Sequence, residues 1–190
     1  KFVPDLYYDD EDRYIAALAD AMSIEYEAIA EAGFVLQIDA PNLGSARHNQ
    51  YQHLSEQEFL KIAERNVDAL NHATRNIPAD RMRLHICWGN YEGPHVHDIP
   101  LISLAPVIRK ARPAGLSIEA ANPAHGHEWE DIREMALPED KILMPGVIDT
   151  TTNFVEHPRL VAQRICRYAD AVGRERVIAS TDCGFATFAG

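Results

Sequence analysis

The sequence predicts an α/β fold of the (β/α)₈ barrel class. Five short apolar segments alternate with segments of helical periodicity, a pattern typical of parallel strands joined by crossover helices. Barrel sites lie at the carboxyl ends of the strands. A doubly wound sheet is the alternative, but it usually carries a glycine-rich phosphate loop, and this sequence has none. Each strand segment ends in or near a polar residue able to bind a metal or a substrate: Asp39, the pair His85 and Cys87, Glu119, Asp149 and Cys183.

The amino-terminal half is predicted to hold two helices and two strands. Gly33 ends the first helix, because glycine readily adopts the backbone conformation that closes a helix. Ser55 begins the second helix, with Glu58 three residues later as its capping-box partner. Helical spacing of apolar residues defines the helices, and β-branched runs define the strands. The predicted elements are helix 9–32, strand 34–39, loop 44–53, helix 55–76 and strand 84–88.

The carboxyl-terminal half is predicted to hold three helices and three strands. Pro113 follows the first of these helices, Pro158 begins the last, and Gly173 ends it. The three strands are again short apolar runs that end at polar residues. The predicted elements are loop 89–98, helix 101–111, strand 115–119, a short helix within 125–134, strand 141–149, helix 157–172 and strand 176–184.

Composition is that of a soluble globular domain. The chain has 190 residues, of which 46% are hydrophobic and 25% charged. No apolar run approaches the length of a membrane span, which is about 20 residues. The start of the chain also lacks the basic segment followed by an apolar segment that is typical of a secretory signal. A net charge of −11 argues against nucleic-acid binding, which depends on basic patches. We therefore expect a cytoplasmic protein whose partners are small molecules, with no membrane or nucleic-acid partner.

Chain length bears on the domain organisation. Eight β/α units usually need about 250 residues, and five strands alone leave open sheet edges. We therefore expect residues 1–190 to form a single domain, the carboxyl-terminal part of a longer (β/α)₈ barrel. The oligomeric state is not indicated by the sequence.

Three scattered cysteines do not make a disulfide framework. Cys166 lies within a predicted helix, and we expect it to be a packing residue. His85 and Cys87 are two residues apart on a strand, so their side chains project to the same side. An imidazole and a thiol on one face form half of a zinc site, although a buried core pair is the alternative for these two alone.

The carboxyl ends of parallel strands lie at one edge of the sheet, so four possible metal ligands are expected to lie close together: His85, Cys87, Glu119 and Cys183. Their nitrogen, oxygen and two sulfurs suit a tetrahedral Zn²⁺, whereas thiolates disfavour magnesium and calcium. Two thiolates and a carboxylate leave a centre of net charge about −1, which is a poor activator of water but can hold a substrate thiol as a nucleophilic thiolate. For Glu119 alone a solvated carboxylate is the alternative. The set predicts zinc-dependent alkyl transfer to a thiol that displaces Glu119.

These segments resemble a known family. His85-x-Cys87, residues 117–119 and residues 182–184 resemble the zinc ligands of cobalamin-independent methionine synthase, and residues 37–41 resemble its Q-I-D-E-P segment. The resemblance extends from about residue 33 to residue 187. It implies a (β/α)₈ barrel and methyl transfer from 5-methyltetrahydropteroyltriglutamate to homocysteine. It also implies that Asp39 holds the amino group of the thiol substrate; a structural cap at Pro41 is the alternative.

The sequence also departs from that family. Ala40 and Ser45 stand where the family has acidic residues, and Thr151 stands where it has a proton-donating histidine. Residues 85–95 further resemble the shorter relatives, which include epoxyalkane:coenzyme M transferase and use an epoxide as the electrophile. The alkyl donor, the acceptor thiol and the proton donor therefore stay open.

Two histidine pairs lie in predicted loops, His95-x-His97 and His125-x-His127. As metal ligands they would favour a metal-dependent hydrolase. We expect them instead to be surface or supporting residues, because preorganised ligands usually lie on rigid elements. His95 or the pair His127-Glu128 is a candidate proton donor to the leaving group. A non-catalytic zinc-binding barrel is a further alternative.

Overall fold

One parallel β-sheet organises the chain, which is described over residues 5–91 and 93–185 in a computed structural model. Its strands are β1 (Leu36–Asp39), β2 (Met82–Ile86), β3 (Gly115–Ile118) and β4 (Ile142–Pro145). They pair in the order β1-β2-β3-β4, so each strand lies beside its neighbour in sequence. A doubly wound sheet reverses its order at a switch point, and a barrel wall does not. The predicted choice of a barrel is confirmed.

Helices connect and flank these strands. The long predicted helices are confirmed to within a few residues at their ends, whereas the predicted loop 44–53 begins with a short helix. Glu92 of the loop 89–98, and the last two residues of the family resemblance, lie outside the described residues. The helices of the described chain are α1 (Glu11–Glu31), α2 (Ser45–Asn49), α3 (Glu56–Ala73), α4 (Leu101–Lys110), α5 (Asp131–Glu134) and α6 (Pro158–Val172).

Local capping fixes the ends of the helices. The Asp10 carboxylate accepts a hydrogen bond from the Asp12 N–H at the start of α1. Ser55 and Glu58 form the predicted capping box at the start of α3. Gly173 ends α6 with a φ of +93°, a left-handed conformation that favours glycine.

The fifth predicted strand, 176–184, is wrong as a continuous strand. A 3₁₀ turn covers Arg174–Arg176, and the segment that follows pairs in parallel with β4 and its extension at only two bridges, Leu143 with Val177 and Gly146 with Ser180. Pro145 lies between the two bridged residues of β4 and its extension, and it has no N–H to donate to this ladder of hydrogen bonds. The segment still runs beside β4, so the carboxyl end of the predicted strand stays in the sheet's site region.

The core lies between the sheet and its helices. Trp88, directly after Cys87, is fully buried, and its indole N–H donates to the Ile99 carbonyl at 2.7 Å. Trp88 is therefore a packing residue that fixes the end of β2. Cys166 is exposed on α6, so the expectation that it packs in the core is wrong. No helix of the described residues is both long and apolar enough to cross a membrane.

Candidate metal centre

Three possible metal ligands meet beyond the carboxyl ends of the strands. One donor atom each from His85, Cys87 and Cys183 lies within 4.8 Å of the other two. The Cys183 Sγ atom is 3.6 Å from His85 Nε2. Within residues 5–91 and 93–185 this is the one group of three or more such donors. The structure thus brings together three of the four predicted ligands, although 98 residues separate the first from the last in sequence.

The separations fit the ligand shell of a zinc ion. Zn–N distances of about 2.0–2.1 Å and Zn–S distances of about 2.3 Å place neighbouring ligands of a tetrahedron about 3.6 Å apart. The observed separations are 3.6 Å between Cys183 Sγ and His85 Nε2 and 3.8 Å between Cys183 Sγ and Glu119 Oε1. The donor set and its spacing therefore suit Zn²⁺.

Glu119 lies beside this group rather than within it. Its Oε1 accepts a hydrogen bond from the Trp88 N–H at 2.7 Å, and its Oε2 accepts one from Asn122 Nδ2 at 2.8 Å. Burial raises the pKa of Glu119 to about 7, against the opposing effect of the Trp88 N–H. The carboxylate therefore has protein donors of its own and does not depend on a metal to satisfy it.

The pKa values of the two cysteines are shifted in opposite directions. A hydrogen bond from Cys183 lowers the pKa of Cys87 to about 5, burial opposes this, and His85 lowers it further. The same hydrogen bond, together with burial, raises the pKa of Cys183. Burial alone would lower the pKa of His85, but the hydrogen bond and charge of Cys87 raise it overall. The lowered pKa of Cys87 favours its thiolate, the form of cysteine that binds metal.

Strand register orients His85. It pairs with Asp39 of β1 on one side and with Ser117 of β3 on the other. His85 Nδ1 hydrogen-bonds with Ser117 Oγ at 3.2 Å, which leaves Nε2 beside Cys183. Asp39 is exposed, and its negative charge contributes to the raised pKa of His85. The predicted substrate residue therefore stands next to the metal-binding group.

Asp182 positions Cys183 and was not identified from the sequence. Its Oδ1 accepts hydrogen bonds from the Ala120 and Ala121 N–H groups, both at 2.8 Å. Its Oδ2 accepts from the Asn122 N–H at 2.8 Å and from the Asn122 amide at 3.0 Å. The buried carboxylate thereby joins the loop after β3 to the residue that precedes Cys183. The only sequence indication was its place in the Asp-Cys-Gly segment.

The chain matches a family described as the catalytic domain of cobalamin-independent synthase, over residues 6–190. It belongs to this family. A methionine synthase from Thermococcus kodakarensis is 25% identical over 179 residues, which are 94% of this chain and 45% of that protein.

Two solved structures share the fold of this cobalamin-independent synthase domain. A B12-independent methionine synthase from Shewanella sp. W3-18-1, in complex with selenomethionine, superposes with a TM-score of 0.71 at 17% identity, over 97% of this chain and 52% of that one. A putative vitamin-B12 independent methionine synthase from Listeria monocytogenes gives 0.68 at 23% identity, over 96% and 52%. The chain spans about half the length of these relatives.

A cavity of about 470 Å³ opens beside Glu119 in this synthase domain. Tyr91, His95, His125 and Thr151 contribute to its wall. The Thr151 hydroxyl donates to the Asp149 carboxylate at 2.8 Å. The cavity therefore places polar side chains next to the candidate metal centre.

The four loop histidines do not form a metal site in the described part of the chain. His97 and His127 are exposed. His95 is hydrogen-bonded to Asp98 instead, and His125 is hydrogen-bonded to both Asp98 and Glu128. This arrangement gives the hydrolase alternative no structural support.

Proposed function

We propose that this chain takes part in zinc-dependent transfer of a methyl group to the thiol of homocysteine, with a methylfolate as the donor. The observation behind the proposal is the group formed by His85, Cys87 and Cys183, whose donor atoms lie within 4.8 Å of one another. Membership of the cobalamin-independent synthase family supports methyl transfer as the reaction class. The relative from Shewanella was solved with selenomethionine, an analogue of the expected product.

His85, Cys87 and Cys183 would hold the zinc ion, with Glu119 as the ligand that a substrate replaces. Bound zinc lowers the pKa of a coordinated thiol and keeps it a nucleophilic thiolate. Glu119 can leave at low cost, because Trp88 and Asn122 already donate hydrogen bonds to its two oxygens. The substrate thiol could then take the ligand position of Glu119 without a rearrangement of the other three ligands.

Asp39 would bind the ammonium group of homocysteine. Its exposed carboxylate lies at the end of β1, beside His85 in the strand register. The Ala40 N–H donates to the His85 carbonyl at 2.9 Å, which fixes the backbone that presents Asp39. An ammonium bound there would orient the thiol toward the metal-binding group, while the cavity beside Glu119 receives the methyl donor.

Zinc analysis combined with X-ray absorption at the zinc edge tests this proposal. We expect one zinc per chain, two sulfur ligands without substrate, and a third sulfur when homocysteine is added. Coenzyme M is the comparison thiol, because the segment 85–95 also resembles enzymes that alkylate it with epoxides. A third sulfur ligand that appears with coenzyme M and not with homocysteine would identify coenzyme M as the acceptor thiol.

Matched cysteine variants test the ligands. Cys183→Ser should lose zinc affinity by more than the ~10–100-fold typical of residues that only support a ligand. Cys166→Ser is the control, because this thiol is exposed on α6 and does not belong to the group of three donors, and we expect native zinc content. Absence of zinc in the native protein, or a sulfur count unaffected by either thiol, would contradict alkyl transfer. The latter result would favour a non-catalytic zinc-binding barrel.

A further inference from the structure

A chain of alternating histidines and carboxylates extends into the wall of the cavity beside Glu119. His95 Nδ1 donates to Asp98 Oδ2 at 2.9 Å, and His125 Nε2 donates to the same oxygen at 3.3 Å. His125 Nδ1 donates to Glu128 Oε2 at 2.9 Å. We call these four residues the His–carboxylate chain. At most 12% of any of their side chains is exposed.

Rigid elements hold the buried end of the His–carboxylate chain. Glu128 Oε1 accepts a hydrogen bond at 2.8 Å from the Leu101 N–H, at the start of α4. The His125 ring packs against the buried Trp88 ring at a centroid distance of 4.3 Å. His125 and Asp98 therefore cannot rotate freely, and the position of Asp98 fixes the hydrogen bond to His95.

The His–carboxylate chain contains two carboxylates and one histidine whose pKa is strongly raised. Burial alone would lower the pKa of His125, but its hydrogen bonds to Asp98 and Glu128 raise it to about 9, so His125 is a cation. Two carboxylates and one imidazolium leave a net charge of −1. Asp98 Oδ1 is buried and has no partner among the described residues, so the hydrogen bonds of Oδ2 with His95 and His125 hold this carboxylate.

His95 also has the required place in the cavity. Its ring stacks against Tyr91, at 4.6 Å between ring centroids, and against His48, at 5.4 Å, and the centroids of Tyr91 and His48 are 6.5 Å apart. His97 also lies near His48, at 6.1 Å between ring centroids, and is exposed. With Nδ1 committed to Asp98, Nε2 of His95 has no hydrogen-bond partner in the described part of the chain. This nitrogen is free to donate a proton to a molecule in the cavity.

We propose that His95 is the general acid that protonates the leaving group of the alkyl donor, and that Asp98 is its positioning residue. This inference rests on the proposed alkyl transfer. The substrate sulfur forms a bond to the alkyl carbon, the bond from that carbon to the donor nitrogen breaks, and the electron pair goes to the nitrogen. His95 Nε2 gives its proton to that nitrogen and later regains one from solvent. An epoxide oxygen would receive the proton in the same way.

Two kinds of methyl donor separate this role from a structural one. Methyltetrahydrofolate loses its methyl group from a nitrogen that must be protonated, whereas methyl iodide releases iodide, which takes no proton. In single-turnover reactions of the full protein with zinc and homocysteine, we expect His95→Gln to slow transfer from methyltetrahydrofolate by about 10²–10⁴-fold. Transfer from methyl iodide should keep its native rate.

Further variants define the controls. His97→Gln alters an exposed histidine of the same loop and should leave both rates unchanged. Asp98→Asn removes the charge but keeps an acceptor oxygen, so we expect a smaller loss that is again confined to methyltetrahydrofolate. His95→Ala should regain part of its rate with that donor when imidazole is added, an effect that a structural role does not produce.

The outcomes distinguish the two proposals. Equal losses with both donors, or no loss with methyltetrahydrofolate, would overturn the role of His95 and leave thiol alkylation intact. The same conclusion follows if the native protein accepts methyl iodide but neither methyltetrahydrofolate nor an epoxide. If the native protein transfers methyl groups from no donor, the proposed function itself fails.

Discussion

Gly146 lies where β4 ends, and Asp182 packs directly against it. A Cβ atom at position 146 would lie 2.0 Å from Asp182 Oδ1 and 2.7 Å from Asp182 Cα. To move Oδ1 from 2.0 Å to ordinary van der Waals contact near 3.4 Å, Asp182 must shift by about 1.4 Å. Cys183 is the next residue, so the shift reaches a ligand of the proposed zinc site. Metal–ligand distances tolerate only about 0.2 Å.

Gly146→Ala should therefore damage both stability and zinc binding. Crowding of this kind typically costs about 1–3 kcal/mol of unfolding free energy, and here it also strains the hydrogen bonds from Ala120 and Ala121 to Asp182. We expect zinc affinity to fall at least about tenfold, as for other residues that position a ligand. Urea unfolding and competition with a chelator measure the two effects.

Gly184→Ala is the matched control. It lies on the other side of Cys183, and a Cβ atom there would meet no atom of the described residues within 4 Å. We expect native stability and native zinc affinity for this variant. If Gly146→Ala matches Gly184→Ala in both measurements, the inference that Asp182 positions Cys183 is refuted.

Three further predictions concern other parts of the molecule. Ser55→Ala removes a helix cap and should lower the unfolding free energy by about 1 kcal/mol in urea titration; an unchanged midpoint would contradict this. The raised pKa of His125 predicts stability that is fully present below pH ~6.5 and is lost as pH rises through about 9, by roughly 3 kcal/mol. Unfolding measured across that range should show this decline in the native protein and little of it in His125→Gln, and equal slopes would count against a buried imidazolium. Glu119→Gln keeps an acceptor for the Trp88 N–H but removes the negative charge, so zinc should bind more weakly without substrate, and the difference from the native protein should shrink when homocysteine is bound. Calorimetric zinc titration with and without the thiol measures this, and an equal deficit in both would show that Glu119 is not the ligand that exchanges.

Local patterns were sufficient for most of the fold. The capping box at Ser55 and the glycine at position 173 mark helix ends through contacts within a few residues, which is why their positions follow from the sequence. The segment 176–184 has the composition of a strand, but a strand also needs a partner that supplies every hydrogen bond. Pro145 cannot donate one, so only isolated bridges form there.

The candidate site likewise combines features that follow from the sequence with features that depend on the tertiary structure. The sequence by itself determined which residues could bind metal, because strand ends and the two-residue period of His85 and Cys87 fix where such side chains project. Only the tertiary structure decided that Glu119 lies beside the group of three, that Asp182 binds the loop after β3, and that Asp98 joins two histidines. The contacts with His125 and Cys183 link residues 27 and 64 positions apart. Sequence periodicity sets direction within one element, whereas distances between elements depend on sheet register and on how the loops pack.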